Sequence, residues 1–256
     1  LQKYFGVNYN YYLDKSFPIP EQLTQLGIDY RKFDEIAKNW EIHQEFINQN
    51  NQTNYLKTHS AFHTYENYNF TNKKNTIGVI YVVRDPRDII ISYAHHLNKS
   101  IKDTLDDMLT DNMFETHPYK GLYRKSDKER YRKTLMGSWS THYNSWKSYG
   151  QECKVLIIKY ENLVNDTKNE FLKILNYIKE IDNIKIDLLK LDFAIQQTSF
   201  KKLSEQEKLE GFDEAVNDKR FFRKGVVGDW KKKLDKETRK ILEKKFEKEM
   251  IELGYL

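Results

Sequence analysis

The sequence predicts an open α/β sheet, and three observations carry that expectation. Two short runs, Gly78–Val83 and Val155–Ile158, are β-branched, aromatic and aliphatic without alternation, the pattern of strands covered on both faces. A stretch with apolar residues at helical spacing follows each run: Ile89, Ile90, Tyr93 and Leu97 after the first, and Phe171, Ile174, Leu175 and Ile178 after the second. Polar residues cluster directly behind both strands, at Arg84–Asp88 and Lys159–Asn162. Strands alternating with helices make an α/β layer structure, and such sheets bind ligands beyond the carboxyl ends of their strands. Lys57–His59, Arg84–Asp88 and Lys159–Asn162 are therefore expected to come together in space.

The elements follow in order. Residues 1–50 hold scattered aromatics, the punctuation Pro18-Ile19-Pro20 and a helical stretch near Asp34–Asn48. The apolar pair Tyr55-Leu56 leads into Lys57-Thr58-His59 at a strand end. Asp85 before Pro86 is an N-cap followed by a first-turn proline. Residues 98–135 are highly charged and helical in flavour, and they contain a Lys- and Arg-rich stretch, Tyr119–Lys133, that reads as a mobile excursion. A helix is expected over Leu135–Tyr149, with Trp139, Tyr143 and Trp146 on one face. A short helix follows over Asp192–Phe200. A last one covers Asp235–Glu252, capped by Asp235 and docked through Ile241, Leu242, Phe246 and Met250. With no repeat or linker, residues 1–256 are expected to form one domain.

Composition removes several classes. The 256 residues are 39% hydrophobic and 14% aromatic, enough for a core and against global disorder. The longest apolar run, about Ile77–Val83, is far short of the roughly 18 residues a membrane span needs. The single cysteine, Cys153, excludes a disulfide scaffold and a multi-cysteine metal site. That usage suits a reducing compartment, and the polar, tyrosine-rich start has no apolar core of a secretory signal. A cytoplasmic location is the expectation. The net charge of +5 is either a solvated surface or an excess focused on an anionic ligand, and position decides between them.

Two positions favour the anion. Arg84 follows a strand and opens a helix, where a guanidinium joins the free N–H groups of a helix N-terminus. Ser92, two turns on, adds a hydroxyl. The plain alternative is a surface Arg84–Asp88 ion pair, worth little. Arg223-Lys224-Gly225-Val226-Val227-Gly228-Asp229-Trp230 sets two cations before a glycine-punctuated loop whose backbone N–H groups are suited to phosphate oxygens. The alternative is a basic loop with two turn glycines. His59, two residues from Lys57, suits a general base with a cationic partner, or a structural histidine. His59 and His63 are four apart, but no carboxylate or thiol at ligand spacing supports a metal.

Together the pieces resemble a family. Lys57-Thr58-His59, Val83-Arg84-Asp85-Pro86-Arg87-Asp88 with Ser92-Tyr93, Gly137-Ser138-Trp139, Tyr160-Glu161-Asn162, Thr198-Ser199-Phe200 and Arg223-Lys224-Gly225 through Gly228-Asp229-Trp230 occur in this order. That order resembles the cytosolic-type sulfotransferases that use 3′-phosphoadenosine-5′-phosphosulfate (PAPS), from about Tyr55 to the C-terminus, with Asp85-Pro86-Arg87 closer to bacterial members. The resemblance implies a three-layer, P-loop NTPase-like fold with a central, mainly parallel sheet flanked by helices. It implies PAPS as donor, 3′,5′-adenosine bisphosphate (PAP) as product, no metal, and a small-molecule or carbohydrate acceptor with no nucleic acid. By the same resemblance Arg84 and Ser92 bind the 3′-phosphate, and Arg223, Lys224 and Gly225 close on it. Tyr160 lies near the adenosine, and Thr198 and Phe200 around the adenine. His59 is the base that takes the acceptor's proton, and Lys57 the cation beside the moving sulfuryl group. The acceptor pocket is expected from residues 8–30 and 98–133, the latter as a lid.

One departure stands out. The family opens with a strand and a Pro-Lys-Ser-Gly-Thr-Thr-Trp loop around the 5′-phosphosulfate, and no glycine of this chain has that neighbourhood. With Leu1 in place of methionine, the expectation is a sequence that begins downstream of that loop and lacks that half of the donor site. Two other classes stay in view. A P-loop-type nucleotide kinase needs a Walker A loop, which is absent, and an acidic magnesium ligand, for which Asp85 is the fair candidate. A non-catalytic or degenerate nucleotide-binding module fits the missing loop, although Lys57 and His59 argue against decay.

Overall fold

The computed structural model describes residues 1–6, 16–50, 52–118, 131–212, 215 and 219–256. The chain divides into two compact units that alternate along the sequence. The first is Leu1–Val79, Asn112–Gly137 and Thr141–Val155, and the second is Ile80–Asp111, Ser138–Ser140 and Leu156–Leu256.

Early elements build the first unit. They are α1 (Gln2–Phe5), β1 (Ser16–Phe17), α2 (Pro20–Gln25), α3 (Phe33–Lys38), α4 (Trp40–Ile47), β2 (Lys57–Thr58), β3 (Thr64–Tyr65) and β4 (Tyr68–Asn69). Pro20 opens α2, where its missing N–H costs nothing. The helix expected near Asp34–Asn48 is broken at Asn39, whose backbone leaves the helical region and whose side chain donates to the Glu35 carbonyl at 2.8 Å. The break lets α3 and α4 each turn an apolar face inward, burying Ile36, Ala37, Trp40 and Ile47. β1 and β2 pair in parallel, with Ser16 opposite Lys57 and Phe17 opposite Thr58.

The strand β5 (Gly78–Val83) leads into α5 (Pro86–Leu97) and α6 (Ile101–Leu109). Asp85 caps α5, accepting from Arg87 N at 2.9 Å, and Ser100 caps α6, accepting from Asp103 N at 3.0 Å. The rest of the charged stretch is not helical. It is an antiparallel hairpin of β6 (Phe114–Pro118) and β7 (Tyr131–Leu135), paired from Phe114↔Leu135 to Pro118↔Tyr131. Residues 119–130 of the expected excursion, and 8–15 of the expected acceptor wall, lie outside the described residues. Leu135 thus ends a strand, and α7 (Trp139–Ser148) starts four residues later than expected.

The chain continues through β8 (Lys154–Lys159), α8 (Tyr160–Asn165) and α9 (Thr167–Asp182). β5 pairs with β8. Neither strand is covered on both faces as expected: β5 is half-buried along most of its length, and Val82 is 52% exposed. Among the described residues the ladders are two strands wide, so each strand has cover on part of its surface only. The expected helix over Asp192–Phe200 is two helices, α10 (Leu188–Gln197) and α11 (Phe200–Glu210), parted at Thr198-Ser199. Asp187 caps α10 through Leu189 N and Lys190 N. Last come α12 (Trp230–Lys233), α13 (Lys236–Lys245) and α14 (Glu247–Glu252), with α13 and α14 broken at Phe246. Leu242, Phe246 and Met250 are fully buried, and Phe246 packs on Trp139 at 5.2 Å between ring centroids, so the final segment is docked in the core of its unit through these three and not through Ile241, which is exposed.

Candidate functional site

In the second unit, the turn after β5 and the turn after β8 meet. The Arg84 guanidinium lies over the Tyr160 ring, 4.4 Å from its centroid. Such stacking holds a planar cation while leaving its edges free to donate. The Asp85 N–H donates to Glu161 at 3.0 Å, and the Tyr255 hydroxyl donates to the other oxygen of the same carboxylate at 2.8 Å. Behind them Arg87 is buried. It pairs with Asp85 at 2.7 Å and Glu243 at 2.5 Å, donates to the Tyr255 carbonyl at 2.8 Å and lies 3.9 Å over Trp230. A buried guanidinium needs all of these partners, and with them it fixes the start of α5. Asp85 is thereby committed to the cap and the ion pair.

The glycine-punctuated loop joins this assembly. Arg84 Nη2 donates to the Val226 carbonyl at 3.0 Å, while Arg84 Nε is buried without a hydrogen-bond partner. Arg223, Lys224 and Lys233 surround Asp229 at 3.6, 3.2 and 3.0 Å, and Lys233 and Lys224 hold that carboxyl below its ordinary range. One carboxylate among these three cations leaves a surplus of positive charge. The same excess appears at His95, whose ring is pushed down first by burial and then by Arg223. Gly225 sits at φ +61, and a Cβ there would fall 2.4 Å from the Phe200 ring, so only glycine lets the loop lie against Phe200. Phe200 is itself 39% exposed. Ser92 is exposed on α5. Thr198 stands at the end of α10, its hydroxyl turned back onto the Ala194 carbonyl at 2.8 Å.

Lys57 and His59 belong to the first unit, where the segment carrying them is pinned on every side. Thr58 Oγ1 donates to the Phe17 carbonyl at 3.0 Å, and the His59 carbonyl accepts from His142 Nε2 at 3.2 Å. Trp146 Nε1 donates to the Ser60 carbonyl at 2.9 Å, and Ala61 N to the Leu135 carbonyl at 2.9 Å. Lys57 and His59 are both half-buried. Burial pushes the His142 imidazole down to about 4, which keeps it neutral and donating. His63 is a core histidine: its Nδ1 faces the Ala61 carbonyl at 2.9 Å, and its ring is boxed by Trp40 and Phe70 at centroid distances of 4.8 and 6.2 Å.

A sulfotransferase-domain model matches residues 10–254. The chain belongs to the sulfotransferase family. Among curated relatives, rabbit (Oryctolagus cuniculus) amine sulfotransferase is 26% identical over 182 residues, covering 70% of this chain and 56% of the relative. Human sulfotransferase 1C2 is 29% identical over 166 residues, covering 62% of this chain and 49% of the relative. The chain thus spans about half the length of these relatives. Mouse sulfotransferase SULT7A1, solved in complex with PAP, matches in structure with a TM-score of 0.56 at 22% identity over 80% of this chain and 69% of that one. The likeness establishes the fold: the chain has the P-loop-like α/β architecture of its family. Among the described residues, no helix is long and apolar enough to cross a membrane.

Sequence reasoning missed several residues of the assembly. Asp88 is not a surface partner of Arg84: it is buried, 3.9 Å from Arg84, and accepts from two loop N–H groups. Its spacing from Arg84 was visible, but its backbone partners lie 140 residues away. Glu161 and Asp229 stood inside quoted motifs without an assigned task. Glu207, which accepts from Phe221 N and Phe222 N, had no sequence signal at all.

Proposed function

We propose that this sulfotransferase transfers a sulfuryl group from PAPS to a hydroxyl or amine of a small-molecule or carbohydrate acceptor. The observation that carries the reading is the convergence of Arg84, Arg223 and Lys224 in one unit, with Arg84 seated on Tyr160 and Gly225 under Phe200. A surplus of cations beside aromatic faces fits a phosphorylated adenosine, and the unpartnered Arg84 Nε fits an anion that would satisfy it. Arg84, Ser92, Arg223, Lys224 and Gly225 would hold the 3′-phosphate, with Tyr160, Thr198 and Phe200 around the nucleoside.

The donor supplies the sulfuryl group when bound, and the protein's task is to position partners and neutralise charge. The cations act on a phosphate that the reaction leaves untouched, so their binding energy serves orientation. His59 takes the acceptor's proton, a role typically worth about 10²- to 10⁴-fold in rate. Lys57 helps neutralise charge on the moving sulfuryl group. The kinase reading loses its candidate magnesium ligand, because Asp85 is paired with Arg87.

Calorimetric binding of PAP, with 5′-ADP as control, tests the donor class. Binding that requires the 3′-phosphate is expected, and equal binding of ADP sinks the assignment of Arg84 and Arg223. In an active form of the enzyme, His59→Ala is expected to remove turnover by at least about 10²-fold with PAP affinity unchanged. Arg223→Ala is expected to do the reverse and weaken PAP binding about tenfold or more.

A further inference from the structure

The backbone N–H groups of the glycine loop do not all face outward. The Gly228 N–H donates to Asp88 Oδ2 at 2.6 Å and the Trp230 N–H to Asp88 Oδ1 at 3.0 Å. The Asp88 side chain is 1% exposed. A buried carboxylate is costly unless donors satisfy it, and here each oxygen receives one. Gly228 adopts φ +80 with nothing within 4 Å of where a Cβ would stand, so conformation and not space explains the glycine. That conformation presents the Gly228 and Trp230 amides to one side chain. Asp88 stands one helical turn before Ser92 on α5 and four residues after Arg84, which itself donates to the loop at Val226.

We propose that Asp88 is a positioning residue that locks the Arg223–Trp230 loop onto α5, so that Arg223, Lys224 and Gly225 stand ready opposite Arg84 and Ser92 before any ligand arrives. The proposal rests on the reading of these residues as a phosphate site. Without the lock, the loop must be ordered when the ligand binds, and affinity falls by that ordering cost. Asp88 touches no ligand in this scheme. Asp88 takes a hydrogen bond from each of two amides and lies 3.9 Å from one cation, Arg84, whereas the partners of Asp229 are three cations.

The test uses the full chain and Asp88→Asn, which keeps the side-chain shape but sets an NH2 against one of the two amides. PAP affinity measured by calorimetry is expected to fall about ten- to a hundredfold. Leu242→Ala, which opens a cavity in the core of the same unit, serves as the control for lost stability and is expected to keep wild-type affinity. Undiminished affinity in Asp88→Asn overturns the proposal, and so does an equal loss in both variants. Amide hydrogen exchange gives a second arm that needs no ligand and no variant. In the wild-type chain the Gly228 and Trp230 amides are expected to exchange as slowly as those within α5, and exchange at the rate of an open loop overturns the proposal. If wild-type chain fails to bind PAP, the functional reading fails, and the exchange rates alone decide the lock.

Discussion

Gly225 shows how much a single position decides in this member of the sulfotransferase family. Its backbone at φ +61 disfavours any side chain, and the Phe200 ring fills the space a Cβ would need. Gly225→Ala is therefore expected to lose PAP affinity at least tenfold while folding cooperatively, because the clash displaces a loop and a half-exposed ring more readily than the core. Calorimetry together with a denaturation curve checks this, and unchanged affinity would show that the Phe200 contact is incidental. Gly225 and its neighbours were legible in the sequence because the string from Arg223 to Trp230 is contiguous. Asp88 was not, because its meaning lies in amides that are remote in sequence.

Among the secondary-structure elements, caps were read correctly where the rule is local. Asp85 and Asp235 both cap the helices they precede, Asp235 through Glu237 N and Thr238 N. The breaks at Asn39 and Phe246 were not legible, since each falls within a run of good helix spacing, and α11 beyond Thr198-Ser199 carried no apolar periodicity to announce it: its buried residue is Glu207. The hairpin β6–β7 was missed for a related reason: its charged sequence resembles a solvated helix until the two strands pair. Asp187 offers a direct check on the α10–α11 corner that carries Thr198 and Phe200. Asp187→Ala removes the acceptor for Leu189 N and Lys190 N. It is expected to cost about 1 kcal/mol, read from urea denaturation, and no change would mean the cap is replaced by solvent.

Along the whole chain the residues of the two units alternate in sequence, and the ranges of β5 and β8 each run from residues of one unit into residues of the other. Stability then depends on groups buried in either. His142 titrates at about 4 in the folded chain and near 6.5 when unfolded. Its depressed value means that the folded state is favoured fully above about pH 6.5. That contribution drains away as the pH falls from there toward 4. His63, His95 and His96 are also pushed down, each chiefly by burial, and act with the same sign. The urea midpoint is expected to fall between pH 7 and 5, and to fall less in His142→Gln, whose amide can still donate to the His59 carbonyl. Equal slopes in the two proteins would remove His142 from the account.

The sequence alone determined what depends on neighbouring residues: the strands Gly78–Val83 and Val155–Ile158, the latter extended by one residue at each end in the structure, the Asp85-capped helix after the first, and the ordered motifs that mark the family. Only the tertiary structure decided which partners share the ends of those strands. It placed Tyr160 under Arg84, Phe200 against Gly225 and Asp88 beneath Gly228 and Trp230, and it left Val82 half-exposed where a buried strand was expected. Those outcomes turn on desolvation and on satisfying buried polar groups, which depend on everything brought within a few ångströms and on nothing that sequence spacing records.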